Sequence, residues 1–196
     1  MTDPVPHDLR LRLPDAWHAV DLTDPEVRRA SLAALVTAQT GTAEDLEPVR
    51  DALVDQLDVA AMQAAGSGAV LMAFSTMRAG DTPIPASLTV YRVPGLRLDD
   101  DGVATLRAAV GEDESWSDGS TDRGRVVRRV RVIQDERAGS AGQLLADYWI
   151  SGAGPSGPPP ADDQPETFSL VFATPMVQLA DAMLSLFDRV VASVEV

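Results

Sequence analysis

Five arginines stand close together in a chain that is otherwise acidic. They are Arg123, Arg125, Arg128, Arg129 and Arg131. A guanidinium presents paired N–H donors that match the oxygens of a carboxylate or a phosphate. In a strand, Arg125, Arg129 and Arg131 would share one face with Val127, because side chains alternate between faces. The spacing predicts a docking stripe for a phosphate or an acidic partner, and these three arginines are our first partner-binding candidates.

The same stripe permits an internal alternative. Charged residues on a strand face commonly pair with opposite charges across to the next strand. Asp147 alternates with Leu145 and Trp149 in a second predicted strand and could supply that charge. If Arg125, Arg129 and Arg131 each meet an Asp or Glu in the folded chain, the docking hypothesis loses its main support. An internal ladder is the commoner use of such a pattern, and the sequence leaves both interpretations open.

Trp116 is the remaining partner-binding candidate. It lies in Glu114-Ser-Trp-Ser-Asp-Gly-Ser120, within a segment from Gly111 to Asp122 that we predict to be a polar, acidic loop. A large aromatic side chain in a polar loop is typical of an interface anchor. The same ring could instead pack over the end of the sheet.

Residue types that usually catalyse reactions or bind metals are scarce. Cysteine is absent, and His7 and His18 lack the second ligand or acid that a metal site or general base requires. The run Asp99-Asp100-Asp101-Gly102 lacks the flanking acids of a calcium loop, so it predicts a helix cap. The run Gly152-Ala-Gly154-Pro-Ser-Gly157 leads into three prolines, which cannot begin a phosphate-cradling helix. We therefore predict no catalytic, cofactor-binding or metal-binding residue.

Charge and composition narrow the possible partners. The formal net charge is −14 and all 16 basic residues are arginine, which argues against general binding to nucleic acid or anionic membranes. No apolar run approaches the roughly 18 residues of a membrane span, and the N-terminus does not resemble a signal peptide. We expect a cytoplasmic protein. Lysine and asparagine, whose codons are AT-rich, are both missing, which indicates a bacterial genome of high GC content.

Strands and helices that must position these residues follow from hydrophobic spacing. The predicted strands are Leu9–Leu13, Trp17–Leu22, Ala69–Met77, Ala86–Val93, Arg125–Gln134, Gln143–Ser151 and Thr167–Ala173. The predicted helices begin near Asp24, Asp45, Asp99 and Pro175. A loop rich in proline and glycine at 152–165 precedes the last strand. This order predicts a single α+β domain over residues 1–196, an antiparallel sheet of six to seven strands sandwiched by helices.

The two ends of the chain carry a family resemblance. The opening Leu11-Arg12-Leu13-Pro14-Asp15-Ala16-Trp17 and the closing strand, with Thr174-Pro175 and Leu186-Phe187-Asp188, resemble the Mog1/PsbP-like fold. The chain is also similar to uncharacterised proteins of high-GC Gram-positive bacteria. LpqN-type lipoproteins are among these relatives, although this sequence lacks their signal peptide and lipidated cysteine. The resemblance implies a binding scaffold and no shared active site.

These patterns favour a non-enzymatic protein-binding or adaptor domain of unknown pathway, with a protein partner and no nucleic-acid partner. One alternative is a small-molecule-binding or hydrolytic domain, which would need two carboxylates of different protonation in a cleft. Another is a chaperone-like component of a bacterial secretion or assembly system. The regular C-terminal strand and helix are architectural, so we expect the functional surface between Gly111 and Trp149.

Overall fold

The structure of the protein, a computed structural model, describes residues 9–121, 124–134, 142–151 and 167–195. Its strands are β1 (Trp17–Val20), β2 (Ala69–Ser75), β3 (Arg78–Ala79), β4 (Thr82–Pro83), β5 (Ser87–Val93), β6 (Ser115–Thr121), β7 (Gly124–Gln134), β8 (Gly142–Ser151) and β9 (Thr167–Thr174). Seven of them form one antiparallel sheet in the order β1-β2-β5-β9-β8-β7-β6, and β3 pairs with β4 as a small separate hairpin. The predicted α+β class with an antiparallel sheet is confirmed.

Four α-helices flank the sheet. They are α1 (Pro25–Thr40), α2 (Glu47–Gly66), α3 (Asp100–Ala108) and α4 (Ala180–Ala192). The side chain of Asp99 accepts a hydrogen bond from the Gly102 N–H at 3.0 Å, so the acidic run caps α3 as predicted. In the part of the chain that the structure describes, none of the helices combines the length and apolar character needed to cross a bilayer.

Helix α4 covers one face of the sheet, which we call the α4 face. Phe187 of α4 is fully buried and stacks on Phe172 of β9, with ring centroids 4.4 Å apart. The apolar side chains that β5, β9 and β8 direct to this face are almost completely buried. The predicted docking of the C-terminal helix on the sheet is confirmed, because its apolar stripe meets the apolar face of the strand that precedes it.

The opposite face, which we call the second face, is covered at its two ends. Helices α1 and α2 pack over β1 and β2, where Leu32 and Val36 meet Met72 and Phe74. Helix α3 packs over the other end, where Val103 contacts the cluster that contains Val127 of β7. The middle of the second face, on β5, β9 and β8, lies between these two helical layers.

The predicted strand Leu9–Leu13 is wrong. Only Arg10 pairs, through two backbone hydrogen bonds of 2.7 Å with Glu195, which follows α4. Leu9 is fully buried and Arg10 is exposed, so the alternation in the sequence is real. The segment packs beside the end of α4 instead of joining the sheet, because Leu9 lies in the core cluster, with Leu11 and Leu13 packed against it.

The predicted loop from Gly111 to Asp122 is also wrong, because Ser115–Thr121 forms the edge strand β6 along β7. Nearly all of its residues are exposed. A strand at the sheet edge needs no apolar face, so its sequence carries no hydrophobic alternation to reveal it. The predicted hairpin of Arg125–Gln134 with Gln143–Ser151 is confirmed as β7 paired with β8. The loop at 152–165 lies outside the described residues.

Candidate functional site

Strand β7 divides its arginines between the two faces as predicted. Arg125, Arg129 and Arg131 lie on the second face with Val127, whereas Arg128 lies on the α4 face. In the register of the sheet, Arg129 stands between Trp116 on β6 and Asp147 on β8. The cluster of arginines therefore separates into groups with different partners.

Arg129 and Asp147 form a buried ion pair across β7 and β8. The Nε and Nη2 atoms of Arg129 donate hydrogen bonds to the same oxygen, Asp147 Oδ2, at 2.9 and 2.7 Å. The Asp147 side chain is only 4% exposed and that of Arg129 is 16% exposed. Arg129 also lies 5.5 Å from the centre of the Trp149 ring, within the range of a cation–π contact. Its guanidinium is thus held from two sides.

Arg131 lies in the same charged group but is held less firmly. Its Nη1 atom is 3.4 Å from Asp147 Oδ2, the oxygen that already accepts two hydrogen bonds from Arg129. Its Nε atom is buried and has no hydrogen-bond partner within the described ranges. The side chain as a whole is 25% exposed. One carboxylate oxygen therefore faces two guanidinium groups, and its contact with Arg131 is the longer and weaker one.

Arg125 belongs to a separate network that fastens α3 and β6 to β7. It donates two hydrogen bonds to Asp118, at 2.9 and 2.7 Å, and one to Asp100 at 2.8 Å. The hydrogen bond from Arg125 lowers the pKa of Asp118, and the bonds to Asp118 and then Asp100 raise the pKa of Arg125. The internal ladder, stated above as the alternative to docking, is present at Arg125 and Arg129, and Arg131 joins it through its 3.4 Å contact with Asp147. The docking stripe of three arginines therefore loses its main support.

Trp116 lies on strand β6 and not in a loop, which corrects its predicted setting. Its ring is half-buried and packs against Trp149, with centroids 6.4 Å apart, in the small cluster beneath α3. The indole Nε1 is buried without a hydrogen-bond partner among the described residues. The structure therefore shows the packing alternative for this ring, which forms part of the wall beside Arg129.

Between the two helical layers, the second face exposes a band of side chains that we call the central strip. Its members are half-buried and are Thr89, Tyr91, Leu145, Val171 and Ala173. Apolar residues of the same three strands on the α4 face are 0–5% exposed. Arg131 borders the strip directly, because it pairs in register with Leu145, which in turn pairs with Ala173.

Sequence reasoning missed the central strip. The strands β5, β8 and β9 carry apolar residues on both faces, and such a strand is typical of a sheet covered on both sides. Only the positions of α1, α2 and α3 reveal that helices cover the ends of this face and leave its middle half-exposed. The sequence did contain one signal: the apolar strands β8 and β9 are accompanied by a single strongly charged strand, β7.

A second ion cluster lies on the α4 face. Asp188 of α4 accepts hydrogen bonds from Arg128 at 2.9 and 3.0 Å and from the Tyr148 hydroxyl at 2.7 Å. Burial, and then the hydrogen bond to Asp188, raise the pKa of Tyr148. The cluster ties the last turns of α4 to β7 and β8, so it is a structural contact between helix and sheet.

Comparisons with known proteins leave the site to be interpreted from its own geometry. No protein-family model matches the sequence, and a search of curated proteins found no match. Among the residues that the structure describes, no three His, Asp or Glu side chains are grouped so that they could hold a metal ion. The observations that bear on function are the central strip and the unequal pairing of Arg129 and Arg131.

Proposed function

We propose that the protein is a non-enzymatic protein-binding domain and that its docking surface is the central strip with Arg131 at its border. One observation carries the proposal. On the α4 face, β5, β9 and β8 direct side chains such as Leu170 and Phe172 into a closed core, with no exposed surface. On the second face, the same strands leave Leu145, Val171 and Ala173 half-exposed beside a charged border. Half-exposed apolar side chains framed by charge are typical of an interface centre and its rim.

The internal ladder moves the proposed surface away from most of the original candidates. Arg125 and Arg129 donate their hydrogen bonds to acids of the chain, and Trp116 packs beneath α3. A partner would have to replace those hydrogen bonds, and breaking a buried ion pair costs several kcal/mol. Arg131 is the candidate that can accept a partner without such a loss.

The shape of the strip favours a protein over a small molecule. It crosses three neighbouring strands that lie about 4.8 Å apart, so its width is roughly 10–15 Å. Small ligands bind in concave pockets that bury most of their surface. A strip that lies between two raised helical layers is better matched by an extended segment or a helix of another protein.

The experiment that tests this proposal places a photo-crosslinking amino acid at Val171, in the middle of the strip, and the matched probe at Val59. Val59 is also apolar and is 53% exposed, but it lies on α2 outside the strip. Cells of the native host are irradiated, and the crosslinked species are identified by mass spectrometry. We expect a discrete heteromeric product from position 171 that a second substitution within the strip, Thr89→Glu, abolishes and that Val59→Glu leaves unchanged.

Three results would refute the proposal. Equal crosslinking from both positions would mean that the strip is not special. A product that joins two copies of the chain would make the strip a self-association surface. A crosslink confined to the same chain would show that the protein covers its own strip. Thermal unfolding of Thr89→Glu and Val59→Glu establishes that each variant is folded before binding is compared.

A further inference from the structure

We propose that the partner inserts a carboxylate beside Arg131, so that an acidic side chain followed by an apolar one is the feature that the central strip recognises. This inference rests on the proposed function and names the chemistry of the partner. Its starting point is the unequal division of Asp147 between two guanidinium groups.

The acids around Arg129 and Arg131 leave Arg131 without a short hydrogen bond to a carboxylate. Arg129 takes two short hydrogen bonds to Asp147 Oδ2 and has a second acid, Glu114, at 3.9 Å. Arg131 has a contact of 3.4 Å with the same oxygen, which is longer than a charge-assisted hydrogen bond of about 2.7–2.9 Å. The two acids balance the two arginines in number, but both lie closer to Arg129, so Arg131 is the more loosely paired of the two guanidinium groups.

Because the Nε atom of Arg131 is buried, water cannot supply the hydrogen-bond acceptor that this atom lacks. That atom is inaccessible to solvent and has no partner among the described residues, although a buried donor left without an acceptor is unfavourable. The 25% of the Arg131 side chain that is exposed therefore belongs to other atoms. A ligand that approaches over the strip can therefore reach Arg131 only through these other atoms.

The neighbours of Arg131 specify what should accompany the acid. Leu145 lies directly across on β8, and Ala173 lies beyond it on β9, at about one and two strand spacings of 4.8 Å. In an extended peptide, side chains two residues apart are on the same side and about 6.6–7 Å apart. An acid over Arg131 therefore places the side chain at position i+2 between Leu145 and Ala173, where an apolar group is favoured.

A carboxylate fits this site better than a phosphate. The site offers one loosely paired guanidinium, and a single negative charge is enough to pair with it. A phosphate monoester carries −1.5 to −2 charges at pH 7 and would lie near the acids that Arg129 already holds. The whole protein has a net charge of −14, which further disfavours a dianion.

The test uses NMR titration of the full chain with four capped peptides. The probe is acetyl-Ala-Glu-Ala-Leu-Ala-amide, and the others replace its Glu by Gln, its Leu by Ser, or its Glu by phosphoserine. The readouts are the side-chain Nε–H signal of Arg131, the methyl signals of Leu145 and Ala173, and the Arg129 Nε–H signal as an internal reference. Arg131→Met is the test variant, and Arg189→Met, at an exposed position on α4, is the matched control.

We expect the Glu peptide to shift the Arg131 and Leu145 signals while the Arg129 signal stays nearly constant. The Gln peptide and the Arg131→Met variant should each bind about 10- to 100-fold more weakly, the usual effect of losing a hydrogen bond to a charged group. The Ser peptide should also bind more weakly, and Arg189→Met should bind like the unchanged protein.

Several outcomes would overturn the inference. They are absence of any Arg131 shift up to about 10 mM peptide, equal binding of the Gln peptide, and tighter binding of the phosphoserine peptide. Failure of the broader proposal is distinguishable from this one. If the partner crosslinked through position 171 is retained in full by Arg131→Met, the docking surface stands and the carboxylate assignment fails.

Discussion

Removal of the Arg129 guanidinium should destabilise the fold far more than removal of the Arg131 guanidinium two residues away. The two side chains share a strand, a face and an acid, so they form a matched pair. Arg129→Met leaves the 4%-exposed carboxylate of Asp147 with a single contact of 3.4 Å. Arg131→Met leaves the two short hydrogen bonds from Arg129 intact.

The expected loss of unfolding free energy follows from how deeply each side chain is buried. Breaking a buried ion pair by deleting one partner costs about 3–5 kcal/mol. Because Arg131 is already close enough to take part of the place of Arg129, we expect Arg129→Met to cost about 3 kcal/mol, at the lower end of that range. Arg131→Met removes one long contact and one unsatisfied donor, so we expect a cost below about 1 kcal/mol.

The assay is urea denaturation at pH 7 for Arg129→Met, Asp147→Asn, the double variant and Arg131→Met. Asp147→Asn should cost less than Arg129→Met, because the guanidinium groups that it leaves are 16% and 25% exposed and can reach water. The double variant should be more stable than the sum of the single costs implies, with a coupling of about 2 kcal/mol. A shift of the midpoint at constant slope shows that only stability changed.

Equal costs for Arg129→Met and Arg131→Met would contradict this account, because they would show that both guanidinium groups are fully engaged with Asp147. The inference about a partner carboxylate would then lose its physical basis. A coupling near zero between Arg129→Met and Asp147→Asn would likewise show that the pair seen in the structure contributes little to the fold.

Two further predictions concern α3 and the contact of α4 with the sheet. Gly102→Ala should lower the melting temperature by at least about 2 °C, although alanine normally favours helices by about 1 kcal/mol, because the new Cβ would overlap the backbone carbonyl of Arg97. Tyr148→Phe should cost about 1–2 kcal/mol at pH 7 through loss of the hydroxyl bond to Asp188. Since burial raises the pKa of Tyr148, this side chain ionises at a lower pH in the unfolded chain than in the folded one. The stability advantage of the unchanged protein over Tyr148→Phe should therefore shrink above about pH 10. Unfolding measured across this pH range checks the prediction, with Tyr91→Phe as the control.

Local spacing in the sequence predicted the elements whose apolar faces meet the core. The last strand was predicted to within one residue, because Phe168 and Phe172 alternate. The final helix was also predicted from the stripe that contains Phe187, but α4 begins at Ala180, five residues after the predicted start at Pro175. The face of β7 that carries Arg129 was also predicted, since a period of two is a property of any strand. The Mog1/PsbP-like resemblance stays a prediction.

Elements without a core face could not be predicted in this way. Strand β6 is polar and exposed, so its pairing with β7 is visible only when the sheet is assembled. The extended segment Leu9–Leu13 has the alternation of a strand, but its position beside α4 leaves it a single pairing. Periodicity reports which side of a segment is buried, and it does not report which neighbour covers it.

The sequence by itself determined that this chain is an acidic α+β protein with its arginines concentrated on one strand and their faces assigned. Only the tertiary structure decided which of those arginines is held least firmly. Arg125 donates a hydrogen bond to Asp100 of α3, and Arg129 donates to Asp147 of β8. Arg131 has only a longer contact with the same Asp147. Ion pairing depends on distances of a few ångströms between residues far apart in the chain, and such distances exist only after the strands and helices have packed.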